Sequence, residues 1–403
     1  MRVFAAELKK LCRPGLLCLL ALLGALYFAI VAGQFVGVGT EWTSVPVVNG
    51  QLLIERYGPT LEDDEFTDLT GSLLPAMRAQ IDAVLAANPL AQQYGATDYD
   101  SFRTFLQQAQ DKLDASDPVN MTDEIFQPYR DSKMLENQLD ESGLLFSRYG
   151  ALLTFCQDFE AERRYAATVD WSAFDDDFTA RRMAEYSQKV LYGPTQAWRG
   201  LLPAVVCDYY TLSYAQAGIV WIVLSVLLLV SPAVVRDRLS RVQALQWSGR
   251  QGRHILSVQL GAALLAALAW IAVNLGVYAA LFWRNGFSAF AAVPMGSFQS
   301  GFRFAGDMNY GQWCILLAAL ALPLGLGTAA LGFFVARFSD NYVAMLLKLV
   351  PLAVAVGYFA LGTLTQTATW FCSHLPLILI FFAAALALCL LDCRHRRRAE
   401  LAG

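Results

Sequence analysis

The stretch AGIVWIVLSVLLLVSPAVV, residues 217–235, has no charged side chain in nineteen consecutive positions. An α-helix needs about 20 apolar residues to cross the hydrocarbon core of a bilayer. Because no water is present in that core, backbone polar groups must bond to one another, which an α-helix achieves within one segment. The stretch therefore predicts a membrane-spanning helix.

Five further apolar stretches of similar length flank a polar middle region, and 56% of the 403 residues are hydrophobic. Soluble domains usually contain about 45–50% apolar residues. We predict an all-α polytopic membrane protein with six spanning helices. The predicted spans are residues 14–36, 217–235, 255–282, 314–336, 343–364 and 375–391. The first could be a secretory signal, but its length and the absence of a convincing cleavage site favour an uncleaved span.

Residues 1–13 have the pattern of an amphipathic helix. The apolar positions of one face are Val3, Phe4, Leu8 and Leu11, and the polar positions include Glu7, Lys9, Lys10 and Arg13. Short helices of this kind lie at the membrane surface. We predict a surface helix that precedes the first span.

The polar middle region, residues 41–210, carries 28 acidic and 13 basic residues, whereas the rest of the chain carries 6 acidic and 17 basic ones. Helical spacing of apolar residues predicts a mostly helical domain. Asp98 or Asp100 is a suitable N-cap for one helix. A longer helix is predicted through Leu135 to Phe159, bent near Gly143 or Gly150.

Basic residues predict the orientation in the membrane, because cytoplasmic loops are enriched in Lys and Arg. With six spans, one side receives Arg2, Lys9, Lys10, Arg13, Arg236, Arg238, Arg241, Arg250, Arg253, Arg337, Arg394, Arg396, Arg397 and Arg398. The loop 283–313 on the other side has only Arg284 and Arg303. We expect both termini, including the tail 392–403, in the cytoplasm and the acidic domain outside. Lys348 is expected to extend its ammonium group to the cytoplasmic surface.

Motifs of soluble catalysis are missing from the sequence. It contains no HExxH, no GxSxG and no GxxxxGK[ST]. These motifs would indicate a zinc protease, a serine hydrolase and a nucleotide-binding P-loop. We predict no catalytic residue, no metal site, no cofactor bound by this chain and no nucleic-acid partner.

The loop 236–254 begins as an amphipathic helix pattern and then breaks at Gly249 and Gly252, which alternate with Arg250 and Arg253. Two interpretations fit this pattern. A basic loop can rest on anionic headgroups, where each Lys or Arg contributes about 1 kcal/mol. Alternatively, the loop binds a protein partner, and this is favoured by four side chains that headgroup binding does not require: Gln243, Gln246, Trp247 and Ser248.

This layout resembles the permease subunit of bacterial ABC-2-type ABC exporters. The resemblance is carried by the opening Glu7-Leu-Lys-Lys-Leu11, by the large polar domain between the first two spans, and by the segment from Asp237 to Arg253. In that family the last segment is a coupling helix that docks on a separate ATPase.

The resemblance implies a non-catalytic transport subunit of the bacterial plasma membrane. Its partners would be an ABC ATPase, which holds ATP and Mg²⁺, and a second permease subunit in a homo- or heterodimer. The implied ATPase-coupling residues are Asp237, Arg238, Arg241, Leu245, Trp247, Ser248, Arg250 and Arg253.

Two other classes remain open at this level. A membrane receptor or sensor would have the same domain without an ATPase partner. A secondary transporter would show polar residues near the bilayer midplane, for which Asn274 is the clearest candidate. Cys156 and Cys207 are a possible disulfide pair on the outer side.

The prolines and glycines of the fourth and fifth spans have two explanations. Pro323 with the glycines 325, 327 and 332, and Pro351 with Gly357, are possible bend sites. Close packing of helices against small residues explains the same glycines equally well.

The predicted orientation can be tested with single cysteines in a background without native Cys. A membrane-impermeant thiol reagent applied to intact cells should label a cysteine at position 114 and spare one at position 240, because the bilayer shields the cytoplasmic side. Equal labelling rates at the two positions would contradict this orientation.

Overall fold

The computed structural model describes residues 2–37, 44–115, 122–141, 143–168, 178–193, 196–240, 254–300, 308–369 and 374–402. In these ranges the chain is almost entirely helical and has no β-strand. The helices before residue 200 are α1 (Arg2–Leu11), α2 (Pro14–Tyr27), α3 (Ser44–Tyr57), α4 (Asp63–Asp68), α5 (Leu74–Ala87), α6 (Pro89–Gln93), α7 (Tyr99–Asp114), α8 (Asp123–Asp140), α9 (Leu145–Thr168) and α10 (Phe178–Tyr192). The later helices are α11 (Ser213–Leu239), α12 (Ile255–Phe282), α13 (Tyr310–Ala336), α14 (Tyr342–Thr369) and α15 (Leu375–Ala402).

The chain divides into two compact units. The spanning unit comprises Met1–Gly37, Val206–Gly296 and Ser300–Gly403, and the inserted unit comprises Val38–Val205 with Ser297–Gln299. Six helical segments of the spanning unit are long and apolar enough to cross a membrane, which confirms the predicted number. They are Val3–Phe35, Val206–Leu239, Ile255–Asn285, Tyr310–Ala336, Tyr342–Thr369 and Leu375–His395. This architecture fits a multi-pass integral membrane protein.

The first of these segments contains a break. Helix α1 ends at Leu11 and α2 begins at Pro14, with Arg13 in an extended conformation between them. Proline is favoured at the first helical position, because an N–H at that position has no acceptor within the helix and its loss costs nothing. Proline also disfavours a helical conformation in the residue before it. The amphipathic α1 is therefore a separate helix.

The second spanning helix is longer than its predicted range 217–235. Helix α11 continues through Arg236, Asp237 and Arg238 to Leu239. The first residues assigned to a coupling loop thus form the last turn of a spanning helix. The cause is local: the apolar residues Val235 and Leu239 continue the helical spacing, and Asp237 is buried against neighbouring helices.

Hydrogen bonds between side chains and neighbouring helices fix the register of α11 and α12. Tyr214 Oη donates to the Tyr278 carbonyl oxygen at 2.8 Å, and Trp221 Nε1 donates to Asn274 Oδ1 at 2.8 Å. Deeper along α11, the indole of Trp270 donates to Ser225 Oγ at 2.9 Å. The partner numbers fall along α12 as they rise along α11, as expected for antiparallel helices. The Asn274 Nδ2 group donates to the Trp270 carbonyl at 2.8 Å, so Asn274 has partners for both its oxygen and its nitrogen.

The glycines of α13 lie at close helix contacts. A Cβ atom added to Gly325 would lie 2.5 Å from Ile271 Cδ1, and one added to Gly332 would lie 2.7 Å from Leu227 Cδ2. Gly357 of α14, by contrast, has open space where a Cβ atom would be. Close packing therefore explains the α13 glycines, and α13 continues as one helix through Pro323.

Helix ends of the inserted unit follow local sequence rules. Asp98, rather than Asp100, caps α7, because its carboxylate accepts from the backbone N–H of Ser101 at 3.0 Å. The predicted long helix through residues 135–159 is wrong: α8 ends at Asp140 and α9 begins at Leu145. Gly143 has a φ angle of 101° there, a left-handed conformation that glycine adopts without strain and that ends a helix.

The predicted disulfide is absent, because Cys156 is a free thiol. Cys156 lies on α9 inside the inserted unit, where burial raises the pKa of its thiol to about 12. Cys207 belongs to the spanning unit. Since the thiolate is the form that reacts, Cys156 is unreactive near neutral pH.

The packing role of the glycines can be tested by two alanine substitutions. Gly332→Ala should lower the free energy of unfolding by about 1–3 kcal/mol, the usual cost of overpacking. Gly357→Ala is the control and should cause no loss, because its Cβ atom meets no neighbour. Unfolding of purified protein in mixed detergent and SDS micelles measures both. Equal stability of the two variants would contradict the packing role.

Candidate functional site at one end of the spanning unit

Two of the eight predicted coupling residues lie in the part of the chain that the structure describes. Asp237 and Arg238 occupy the last turn of α11. The other six, Arg241, Leu245, Trp247, Ser248, Arg250 and Arg253, lie outside the described residues. The site is therefore built from the helix ends that precede and follow residues 241–253.

Asp237 is the centre of a buried polar cluster. Lys10 Nζ lies 3.0 Å from Asp237 Oδ2 and 2.7 Å from Glu7 Oε1. Gln259 Nε2 on α12 donates to the same Asp237 oxygen at 3.2 Å and to Glu7 Oε2 at 3.4 Å. Glu7 and Asp237 are only 7% and 8% exposed. A buried carboxylate is tolerated when a cation and hydrogen-bond donors surround it, and Lys10 with Gln259 meets that requirement.

The amphipathic pattern of α1 explains how Glu7 and Lys10 reach this cluster. Residues three apart lie on the same face of a helix. Helix α1 packs on α12, and the ring of Phe4 would lie 3.6 Å from a Cβ atom on Gly261. The apolar contact thus positions α1, while Lys10 joins it to Asp237 on α11 and Glu7 joins it to Gln259 on α12.

Arg238 connects α11 to the turn between α13 and α14. One guanidinium nitrogen donates to the Ser339 carbonyl at 3.1 Å and lies 2.9 Å from Asp340 Oδ1. The other donates to the Arg337 carbonyl. Carbonyl groups at a helix C-terminus lack partners within the helix and carry partial negative charge, so an arginine there is stabilising.

A second ion pair joins the end of α13 to α15. The guanidinium of Arg337 contacts the carboxylate of Asp392, and both side chains are largely buried. We call the combined set the polar girdle. Its members are Glu7, Lys10, Asp237, Arg238, Gln259, Arg337 and Asp392. The girdle holds three acidic and three basic groups, so its net charge is zero.

The girdle places a connected polar network beside both ends of the segment 241–253. Asp237 and Arg238 precede this segment, and Gln259 follows it. The network joins α1, α11 and α12 at this end of the unit. Within the described residues, no group of three or more His, Cys, Asp or Glu side chains is placed to hold a metal ion.

Sequence reasoning missed most of this network. The sequence places Glu7 and Lys10 on the polar face of the first helix and in the segment that carries the family resemblance, and Arg337 in the charge asymmetry. It does not single out Gln259 or Asp392. The spacing of Glu7 and Lys10 was a usable signal for their own contact. The contact of Lys10 with Asp237, 227 positions away, depends on how the helices pack.

Lys348 extends toward the end of the spanning unit that carries the girdle, and that this end is cytoplasmic stays a prediction. Its ammonium group donates to the Phe338 carbonyl at 2.6 Å, near the end of α13 that carries the girdle. The long side chain thus directs its charge toward the end of the spanning unit.

Comparison with known proteins found no match to this chain among family models, curated proteins or solved structures.

The central ion pair can be tested by removing its cation. Lys10→Met leaves Glu7 and Asp237 as two buried carboxylates close together. We expect a loss of about 3 kcal/mol in the free energy of unfolding, at the lower end for a buried pair because 26% of the Lys10 side chain is exposed.

Lys9→Met is the matched control, since Lys9 is exposed on the same helix. It should change stability by less than about 0.5 kcal/mol. Adding Asp237→Asn to Lys10→Met should recover part of the loss, because one uncompensated charge is removed. The measurement is unfolding in mixed detergent and SDS micelles. A Lys10→Met variant as stable as Lys9→Met would show that the pair contributes nothing.

Proposed function

We propose that this protein is the membrane subunit of an ATP-driven ABC-2-type exporter in a bacterial plasma membrane. It couples to a separate ATPase through residues 236–254 and pairs with a second permease subunit. ATP and Mg²⁺ are bound by the ATPase. Both termini lie in the cytoplasm, and the inserted unit lies outside.

The polar girdle is the observation that carries this proposal. A coupling segment must transmit a push without bending at its base. Asp237 at one side of residues 241–253 and Gln259 at the other are joined by a 3.2 Å hydrogen bond. Lys10 adds a link to α1. The helix ends that hold the segment are thus fastened together, so a push on the segment moves α11 and α12 as a pair.

Arg238 would carry the displacement from this pair of helices to α13. Its guanidinium group binds carbonyl groups after α13, and Arg337 in the same turn pairs with Asp392 on α15. Charged hydrogen bonds are about twice as strong as neutral ones and have short, defined geometry. Closure of two ATPase subunits would press on the segment, and the girdle would distribute the displacement to four spanning helices.

The hydrogen bonds of Asn274 favour this class over a secondary transporter. Such transporters place free polar groups at a central ion or substrate site. Asn274 bonds to Trp221 and Trp270 through its oxygen and nitrogen, and so it serves helix packing. A receptor differs from the exporter in having no ATPase partner, so co-purification of an ATPase distinguishes the two classes.

The docking prediction concerns Trp247. An aromatic anchor in an interface typically contributes about 2 kcal/mol or more, and 1.4 kcal/mol is a factor of ten. Trp247→Ala should therefore weaken ATPase association by roughly 30-fold. The double variant Arg250→Ala with Arg253→Ala should weaken it as well, through lost pairing with ATPase carboxylates. The measurement is ATPase retained on the purified membrane subunit at equal membrane levels, together with ATP-dependent transport.

Trp283→Ala is the control, because Trp283 is an exposed tryptophan at the opposite end of α12 from residues 241–253. It should retain the wild-type amount of ATPase. Headgroup binding alone predicts equal effects of the arginines and little effect of Trp247. Full ATPase retention and transport in both test variants would overturn the coupling role, and absence of any co-purifying ATPase would favour the receptor.

A further inference from the structure

A cavity of about 440 Å³ lies between α11, α12 and α13, entirely within the spanning unit. The cavity is lined by the halves of these three helices that lie farther from the polar girdle. Tyr214 and Ile222 contribute from α11, Asn274 and Trp283 from α12 and its end, and Ala318 and Ala321 from α13. We call it the three-helix groove.

The groove has the length of one lipid leaflet. Along α13 it extends from Tyr310 to Ala321, which at 1.5 Å per residue is about 16 Å. The hydrocarbon core of a bilayer is about 30 Å thick, so one leaflet accounts for about half of that. The groove therefore begins where α13 begins and ends just before the middle of that helix.

The walls of the groove are largely apolar, and most of the polar groups that line it are hydrogen-bonded, although the Tyr278 hydroxyl has no partner among the described residues. The hydroxyl groups of Thr211 and Tyr310 lie 2.6 Å apart in a hydrogen bond. At the deep end, the Asn274 side chain is held by Trp221 and Trp270. A pocket of this size with apolar walls is typical of a ligand site. Water gains few hydrogen bonds there, so an alkyl chain is the occupant that the walls favour.

The end of α12 carries one residue that lines the groove and, next to it in the chain, one positively charged residue that does not. Trp283 lines the groove and is 74% exposed, as is common for tryptophan at the level of lipid headgroups. The next residue, Arg284, is exposed and follows the end of α12. An arginine at this level attracts anionic headgroups and can bind a phosphate through two parallel hydrogen bonds.

We infer that the three-helix groove is a lipid-binding site that accepts one acyl chain of an anionic phospholipid, with its phosphate group at Arg284. The inference goes beyond the proposed function and depends only on the six spanning helices. Lipid bound here differs from the surrounding lipid in two ways. A bulky side chain that fills the groove displaces it, and its binding depends on the charge of its headgroup.

The test uses the full chain in vesicles of phosphatidylcholine with a small fraction of phosphatidylglycerol that carries a photoactivatable group on one acyl chain. Cross-linked peptides are mapped by mass spectrometry. Ala318→Trp fills the groove, whereas Ala319→Trp is the matched control, because Ala319 is exposed on the same helix but does not line the groove. We expect labelling of residues 310–321 to fall about tenfold in Ala318→Trp and to persist in Ala319→Trp.

The headgroup is tested by Arg284→Gln. Labelling by the phosphatidylglycerol probe should fall roughly fivefold, while labelling by a phosphatidylcholine probe should not change. Equal labelling of Ala318→Trp and Ala319→Trp would overturn the site and leave only surrounding lipid. An Arg284→Gln variant that labels like wild type would overturn the anionic assignment. None of these readouts involves an ATPase, so loss of the docking result would leave them unaffected.

Discussion

A polar group inside a bilayer has no water to bond with, and this constraint orders the whole spanning unit. Backbone groups meet it through helices. Side chains meet it in two ways. Near the middle of the helices, uncharged groups such as Trp221 and Asn274 pair across α11 and α12. At one end, charged groups collect in the polar girdle, where Lys10 forms ion pairs with Glu7 and Asp237. Charges are absent from the middle because isolating one there costs several kcal/mol.

These two kinds of contact have different mechanical consequences. Hydrogen bonds between uncharged side chains in membranes contribute about 0.6 kcal/mol each on average, so they define the register of α11 and α12 without locking it. The girdle combines ion pairs with bonds to helix ends, and it joins helices distant in sequence, such as α1 and α11. When helices are joined firmly at one end and more weakly along their length, a force applied at the firm end can change the positions of the helices relative to one another. The three-helix groove lies in the more weakly joined half.

Local sequence signals were reliable where one turn of chain decides the outcome. The spans followed from uncharged length, and side-chain chemistry narrowed the N-cap of α7 to Asp98 or Asp100, of which the structure uses Asp98. The same kind of reasoning failed at Gly143, where apolar spacing continued through a turn and the predicted bent helix proved to be two. It also ended the second span at Val235, although the helix continues through Asp237. A charged residue near a helix end interrupts the hydropathy pattern. The helix itself can continue through that residue when a neighbouring side chain of opposite charge pairs with it.

The sequence by itself determined that the chain is helical, that six segments can cross a membrane and that charge is segregated along it, because these properties depend on composition and on contacts within a few residues. Only the tertiary structure decided what the polar residues do. Asn274 was a candidate for a transport path, and packing made it a partner of Trp221. Lys10 was one basic residue among many, and packing paired it with Asp237. Arg337 was a mark of orientation, and packing buried it against Asp392. Such pairs join residues far apart in the chain, so they are set by how apolar faces and glycines bring the helices together.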